Sequence, residues 1–218
     1  MGTPKTMRPW TTTENGALWV VETNDGLPPF CPARAEVIFA ETRREDVAEL
    51  AVAMNLASAE PIWQRLGNGR RCFHLRVDGQ IATYGWVTRG VECVGELERQ
   101  FHLHEDEAYI WDCGTVAAWR RQRFYSALLS DLIVRLHEEG VARIWIGASR
   151  QNRPSIQGFA NAGFQPVVEC SYGRVSRLTI LWIQHAPAAP HPLIQAAYRI
   201  LLNSHERRLG PLAIGYMK

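Results

Sequence analysis

Along most of the 218-residue chain, apolar positions either alternate with polar ones or recur every three to four residues, and changes of period mark the elements. Ala17–Glu22 (Ala-Leu-Trp-Val-Val-Glu) reads as a first strand, closed by the turn-rich run from Thr23 to Pro32. Glu36–Ala40 is a second strand. Thr42-Arg-Arg-Glu45 then has the form of a capping box ahead of Val47, Leu50, Ala51 and Met54, which share one helical stripe. Glu60–Leu66 predicts a short helix. Arg71–Asp78 and Ile81–Arg89 alternate around Asp78-Gly79, a pair suited to the left-handed positions of a tight hairpin.

The second half is βαβ in character. Ala108-Tyr-Ile-Trp-Asp-Cys-Gly-Thr-Val116 is a mostly apolar strand. Arg121–Glu139 predicts a long helix with Phe124, Leu128, Leu132 and Leu136 on its buried stripe and Gly140 at its end. Arg143–Ala148 is then a buried strand, parallel to the first because a helix connects them. A short helix follows Asn152 and closes on Gly163-Phe164. Gln165–Cys170 and Arg174–Ile183 predict a last hairpin flanking Tyr172-Gly173. After the proline-rich run Ala186–Pro192, Leu193–Arg208 predicts a helix with Ile194, Ala197, Tyr198 and Leu201 on its apolar face. That helix can pack on its own domain, form a homodimer contact or cover a substrate mouth.

Composition narrows the class. Hydrophobic content of 46% with eight tryptophans is ample for a core, and a net charge of +2 supplies no bulk field for nucleic acid. Cys31, Cys72, Cys93, Cys113 and Cys170 are odd in number and scattered, which points to reduced thiols in a cytoplasm instead of a disulfide frame or a zinc site. No run reaches membrane-spanning length and the start of the chain lacks the apolar run of a signal peptide, so a soluble, cytoplasmic protein without a metal is expected.

Basic character is local. Arg120-Arg-Gln-Arg-Phe-Tyr-Ser-Ala-Leu-Leu129 lies between a strand and a helix N-terminus, where unpaired N–H groups and the helix dipole favour an anion. Arg120, Arg121 and Arg123 can grip a diphosphate through charge-assisted forks, or they can be a solvated basic face. The strand, this Arg-x-x-x-x-x-Ser-Ala-Leu-Leu run, Asn152-Arg-Pro-Ser155 and Gly163-Phe164 together resemble the acyl-CoA-binding half of the GNAT superfamily of N-acetyltransferases, over roughly Ala35 to Ile183. The resemblance implies an α/β fold with a mixed, twisted sheet, splayed central strands and flanking helices. It implies acetyl-CoA or another acyl-CoA as co-substrate, with Val116, Arg120, Arg121, Arg123, Phe124, Tyr125, Ser126, Asn152, Ser155 and Phe159 at positions that would hold it. The division expected is an N-terminal arm with an extra strand (1–34), the acyltransferase domain (35–185), and a proline-rich linker with a C-terminal helix (186–218).

Two positions depart from the family's pattern. Arg123 and Tyr125 stand where the loop has small residues, and Phe159 stands where many members carry a tyrosine acid. Tyr125 and Tyr172 are candidate substitutes for that acid, or structural. Glu96 and Glu98, on one side if their stretch is a strand, are candidate bases for an amine that must be neutral to attack, or solvated charges. Asn152 either contacts the acyl-pantetheine arm or caps its helix. His102 and His104 share a face without a third ligand. The expected function is acyl transfer from acyl-CoA to a small-molecule or protein amine by direct attack. A catalytically degenerate acyl-CoA-binding or protein-interaction module, and an acyltransferase fed by an acyl carrier protein, are the alternatives.

Overall fold

The computed structural model describes residues 14–66, 69–94, 99–175, 178–203 and 206–216. In chain order the elements are β1 (Glu14–Glu22), β2 (Ile38–Glu41), α1 (Val47–Ala53), α2 (Glu60–Arg65), β3 (Arg70–Val77), β4 (Gln80–Thr88), β5 (Val91–Val94), β6 (Arg99–His102), β7 (Glu107–Thr115), α3 (Phe124–Glu138), β8 (Arg143–Ser149), α4 (Arg153–Asn161), β9 (Gln165–Val175), β10 (Leu178–His185), α5 (His191–Leu201), β11 (Glu206–Leu209) and β12 (Leu212–Tyr216). Ten strands form one mixed sheet in the order β11-β12-β10-β9-β1-β8-β7-β4-β3-β2, and β5 and β6 form a separate hairpin. Among the described residues no helix is long and apolar enough to cross a membrane.

The period-two rule of a strand assigns each side chain to a layer. Ala108 and Ile110 of β7, with Ile144 and Ile146 of β8, face α3 and α4, where Leu128, Leu129, Leu132, Ile133 and Leu136 close the core. Tyr109 and Trp145 point the other way, into a core that α5 covers with Leu193, Ala197, Tyr198 and Leu201. α1 and α2 cover the remainder of that second face through Val47, Leu50 and Ile62 against Cys72 and Trp86. The extra N-terminal strand lies inside the sheet: β1 pairs antiparallel with β8 (Gly16↔Ser149 to Glu22↔Arg143) and with β9. A strand with sheet on both sides and helices on both faces has no solvent side, which is why Leu-Trp-Val-Val reads as an unbroken apolar run.

A buried clasp joins α5 to the strand ends. Glu107 is 1% exposed and accepts hydrogen bonds from Arg199 (2.6 and 2.7 Å), Arg143 (3.1 Å) and the His104 amide (3.0 Å). Burial alone would raise its pKa, but the His104 amide and the two guanidinium groups outweigh it and hold the carboxyl below its ordinary value.

Several local expectations are corrected. Thr42 does not cap α1: it is buried with its hydroxyl 3.0 Å from His74 Nδ1, while the Asp46 carboxylate accepts the Arg43 amide at 2.7 Å. The long helix begins at Phe124 instead of Arg121, because Arg121 (φ 67°) and Arg123 (φ 62°) are left-handed and cannot sit in a right-handed helix. Tyr172-Gly173 is no turn but continuous β9, paired with Leu181 and Ile180 of β10. The C-terminal helix stops at Leu201. Glu206–Leu209 instead starts a hairpin that turns with Gly210 at φ 64°, so that β12 covers the otherwise bare edge of β10 (Ile180↔Ile214).

Candidate active site

The site begins where β7 and β8 part. They pair in parallel over only four positions, Glu107↔Arg143 to Ile110↔Ile146. Beyond these, β7 follows β4 and β8 follows β1 (Leu18↔Gly147, Ala17↔Ala148, Gly16↔Ser149). A bulge in β7 accounts for the divergence: Asp112 has φ 41°, and the register with β4 slips between Trp86↔Trp111 and Tyr84↔Gly114. Aspartate is among the few residues that tolerate such a backbone. The facing edges of Trp111–Thr115 and Gly147–Ser149 are thus left without a strand between them.

On the α3/α4 side the basic turn closes the gap. Val116 donates its amide to Ala82, and a 3-10 turn at Ala117–Trp119 leads to Arg120, whose Nε reaches the Thr115 carbonyl at 3.3 Å. Arg120, Arg121 and Arg123 are exposed. Arg123 is the N-cap of α3 in the left-handed conformation that a glycine would adopt without strain. Phe124 is buried against Trp119, and Ser126 is buried on the next turn.

Tyr125 turns away from solvent toward α4. Its ring lies so close to Gly158 that a Cβ there would stand 2.5 Å from Tyr125 Cδ1, and it packs 6.2 Å from the Phe159 ring. Burial, then Cys113, raise the phenol well above its ordinary pKa, and burial likewise raises the Cys113 thiol, so both stay protonated. Phe159 is 1% exposed, in a cluster with Trp19, Tyr125 and Phe164. Asn152 caps α4, its Oδ1 accepting the Ser155 amide at 3.3 Å.

On the opposite face the parting strands open into a cavity of about 600 Å³. Its floor is the small-residue strip of Gly16, Ala17, Gly147 and Ala148, and its apolar walls come from Leu18, Val94, Phe101, Tyr109, Trp111 and Leu201. Tyr109 reaches across from β7, its hydroxyl 3.2 Å from where a Cβ of residue 147 would be. Three charged residues line the cavity. Glu92 is buried and fully engaged, taking a fork from Arg70 (2.7 and 3.0 Å), the Thr88 hydroxyl (2.5 Å) and the Cys93 amide (2.9 Å). Asp112 pairs through Oδ2 with Arg65, whose guanidinium lies over the Trp86 and Trp111 rings at 5.4 and 5.3 Å.

Sequence reasoning brought Tyr125, Ser155, Phe159 and the arginine turn to one side of the gap. Tyr172 is buried in β9 two residues beyond Cys170, and it does not line the cavity. Glu96 and Glu98 lie outside the described residues. His102 and His104 are exposed, one lending its carbonyl to Arg199 and the other its amide to Glu107. Arg65, Tyr109 and Asp112 were not singled out. For Asp112 a signal existed, as the lone charge inside an apolar strand; for Arg65 and Tyr109 there was none.

No curated protein matches the chain. Among solved structures, a GNAT-family protein from Novosphingobium aromaticivorans superposes with a TM-score of 0.53 at 13% identity, over 84% of this chain and 72% of that one. The ribosomal-protein-S18-alanine N-acetyltransferase of Escherichia coli does so with a TM-score of 0.48 at 19% identity, over 60% of this chain and 78% of that one. The model of the acetyltransferase (GNAT) family matches residues 38–164, from β2 through the bulge, the arginine turn and α4, and the chain belongs to that family.

Proposed function

We propose that the protein transfers an acyl group, acetyl in the simplest case, from an acyl-CoA to a primary amine by direct attack. One observation carries this reading: the gap between β7 and β8 has a basic helix start on one face and an acid-bearing cavity, open to solvent, on the other. The diphosphate would lie at Arg120–Arg123, and the pantetheine arm would pair with the vacant strand edges. The amine would come from the cavity side. Asp112 takes its proton, nitrogen attacks the thioester carbonyl, and the C–S bond breaks as the tetrahedral intermediate collapses.

Tyr125 restores the hydroxyl that Phe159 lacks. The aromatic ring that many relatives place on α4 is here a buried phenylalanine, and the phenol comes instead from α3, packed on that ring and on Gly158. A thiol is more acidic than a phenol, so Tyr125 keeps its proton and stabilises the departing sulfur by a hydrogen bond. Trapping the free coenzyme A thiol released from acetyl-CoA and a panel of amines tests the reading. Release by the wild type, reduced about tenfold to hundredfold in Tyr125→Phe, supports it. A binding module that does not transfer is favoured by one feature, the bulky Tyr125 ring packed against α4 at a position where the family's loop has a small residue, and would bind acetyl-CoA saturably with no thiol released.

A further inference from the structure

The cavity also constrains the acceptor, and this inference rests on the transfer reading above. We infer that the acceptor is a small monoamine carrying an uncharged, apolar body of aryl or branched-alkyl type, not a polyamine, an amino acid or a polypeptide.

A volume of about 600 Å³ is that of a small-molecule site. Most of its walls are apolar side chains from β1, β5, β6, β7 and α5, which reward an apolar body, while Asn15 and Ser149 add neutral polar groups at its edge. A cationic nitrogen needs a carboxylate, because an unpaired charge against such walls is strongly unfavourable. Both Glu92 oxygens are already taken by Arg70, Thr88 and the Cys93 amide. Among the described lining residues this leaves the second oxygen of Asp112, at the point where the strands part, as the place for one ammonium. A second ammonium, as in a polyamine, has no such partner among the described lining residues. A substrate carboxylate would need Arg65, which is committed to Asp112 and stacked on two indoles. Leu201 of α5 and Phe101 of the β5–β6 hairpin line the same cavity as the strip of small residues, and its volume is too small for more than one side chain of a polypeptide.

Calorimetric titration of the full chain with 2-phenylethylamine, methylamine, spermidine, phenylalanine and a lysine-containing peptide, with and without coenzyme A, tests this directly. The expected result is that 2-phenylethylamine binds at least about tenfold more tightly than each of the others, and that Asp112→Asn weakens it by about tenfold or more. A second variant, Leu201→Trp, fills the cavity from a different element and should abolish binding of the arylamine. Equal or tighter binding of spermidine, phenylalanine or the peptide overturns the inference, as does the absence of binding by any amine. The transfer reading fails separately: selective arylamine binding without thiol release from acetyl-CoA defeats it alone, whereas release driven by spermidine or the peptide and not by the arylamine sustains it and defeats this one.

Discussion

Replacing Gly158 by alanine should change sign with the residue at 125. In α4 the substitution has an intrinsic benefit of about 1 kcal/mol, because alanine restricts the unfolded chain and suits a helix interior. Against this, the added methyl would lie 2.5 Å from Tyr125 Cδ1 and 2.8 Å from Cε1, distances that real Cβ atoms do not keep. The ring cannot retreat freely, since Phe159 packs on one side of it. Overpacking of this kind costs about 1–3 kcal/mol, so Gly158→Ala in the wild type should lose about 1 kcal/mol net. In a Tyr125→Ala background the clash is gone and the same change should gain about 1 kcal/mol, a coupling of about 2 kcal/mol. Urea unfolding of the four proteins measures the cycle, and each 1 kcal/mol corresponds to about 2–4 °C in Tm for a chain of this size. If Gly158→Ala stabilises both backgrounds equally, the Tyr125 ring does not stand between α3 and α4, and the claim that it supplies the missing phenol falls with it.

Three further outcomes follow from the same structure. Arg123→Gly should raise stability by about 0.5–1 kcal/mol by relieving the left-handed N-cap, while flattening the salt dependence of acetyl-CoA binding; an unchanged salt profile would remove Arg123 from the anion site. Arg199→Ala strips the closest partner from buried Glu107 and should destabilise by about 3–5 kcal/mol. Because the folded pKa of Glu107 is depressed below 4.5, the clasp's contribution is fully present above that pH and lost as pH falls through the folded value, so the penalty of Arg199→Ala should shrink in acid. Asp131 has the opposite sign: burial pushes its carboxyl up to about 6, so its ionised form opposes folding at neutral pH, and Asp131→Asn should raise Tm at pH 8 more than at pH 4. Melting curves at both pH values check the last two.

How much of this was legible in the sequence depends on whether the cause was local. The Asp78-Gly79 hairpin, with φ of 49° and 80°, and the α3 stripe follow from rules that act within a few residues, and they appear as read. The arginine turn was legible as a helix start, but not its two left-handed residues, because nothing in Arg-Arg-Gln-Arg favours that backbone locally. Surrounding structure imposes it, as when the Gln122 carbonyl accepts the Arg34 amide at 3.1 Å. The helix proposed to continue to Arg208 failed for the same reason: from Glu206 onward the chain pairs with β12, which itself covers the edge of β10, and strand pairing wins over helical spacing. The cavity could not be read at all, since it joins Asn15, Arg65, Asp112, Ser149 and Leu201 only through the sheet order. Tyr125 was named for its chemistry, and Gly158, which makes room for it, was not.

Amide hydrogen exchange along the parting strands tests the central claim most directly. In the free protein, the amides of Trp111–Thr115 and Gly147–Ser149 that face the gap lack strand partners and should exchange faster than those of Ala108–Ile110 and Ile144–Ile146 on the same strands. Saturating acetyl-CoA should slow exchange at those facing edges and at the Arg120–Arg123 turn, because the acyl-pantetheine arm pairs with the vacant backbone and the diphosphate takes the helix start. Protection confined to other surfaces, or none at either edge, would show that the gap does not receive the acyl donor and would contradict the account.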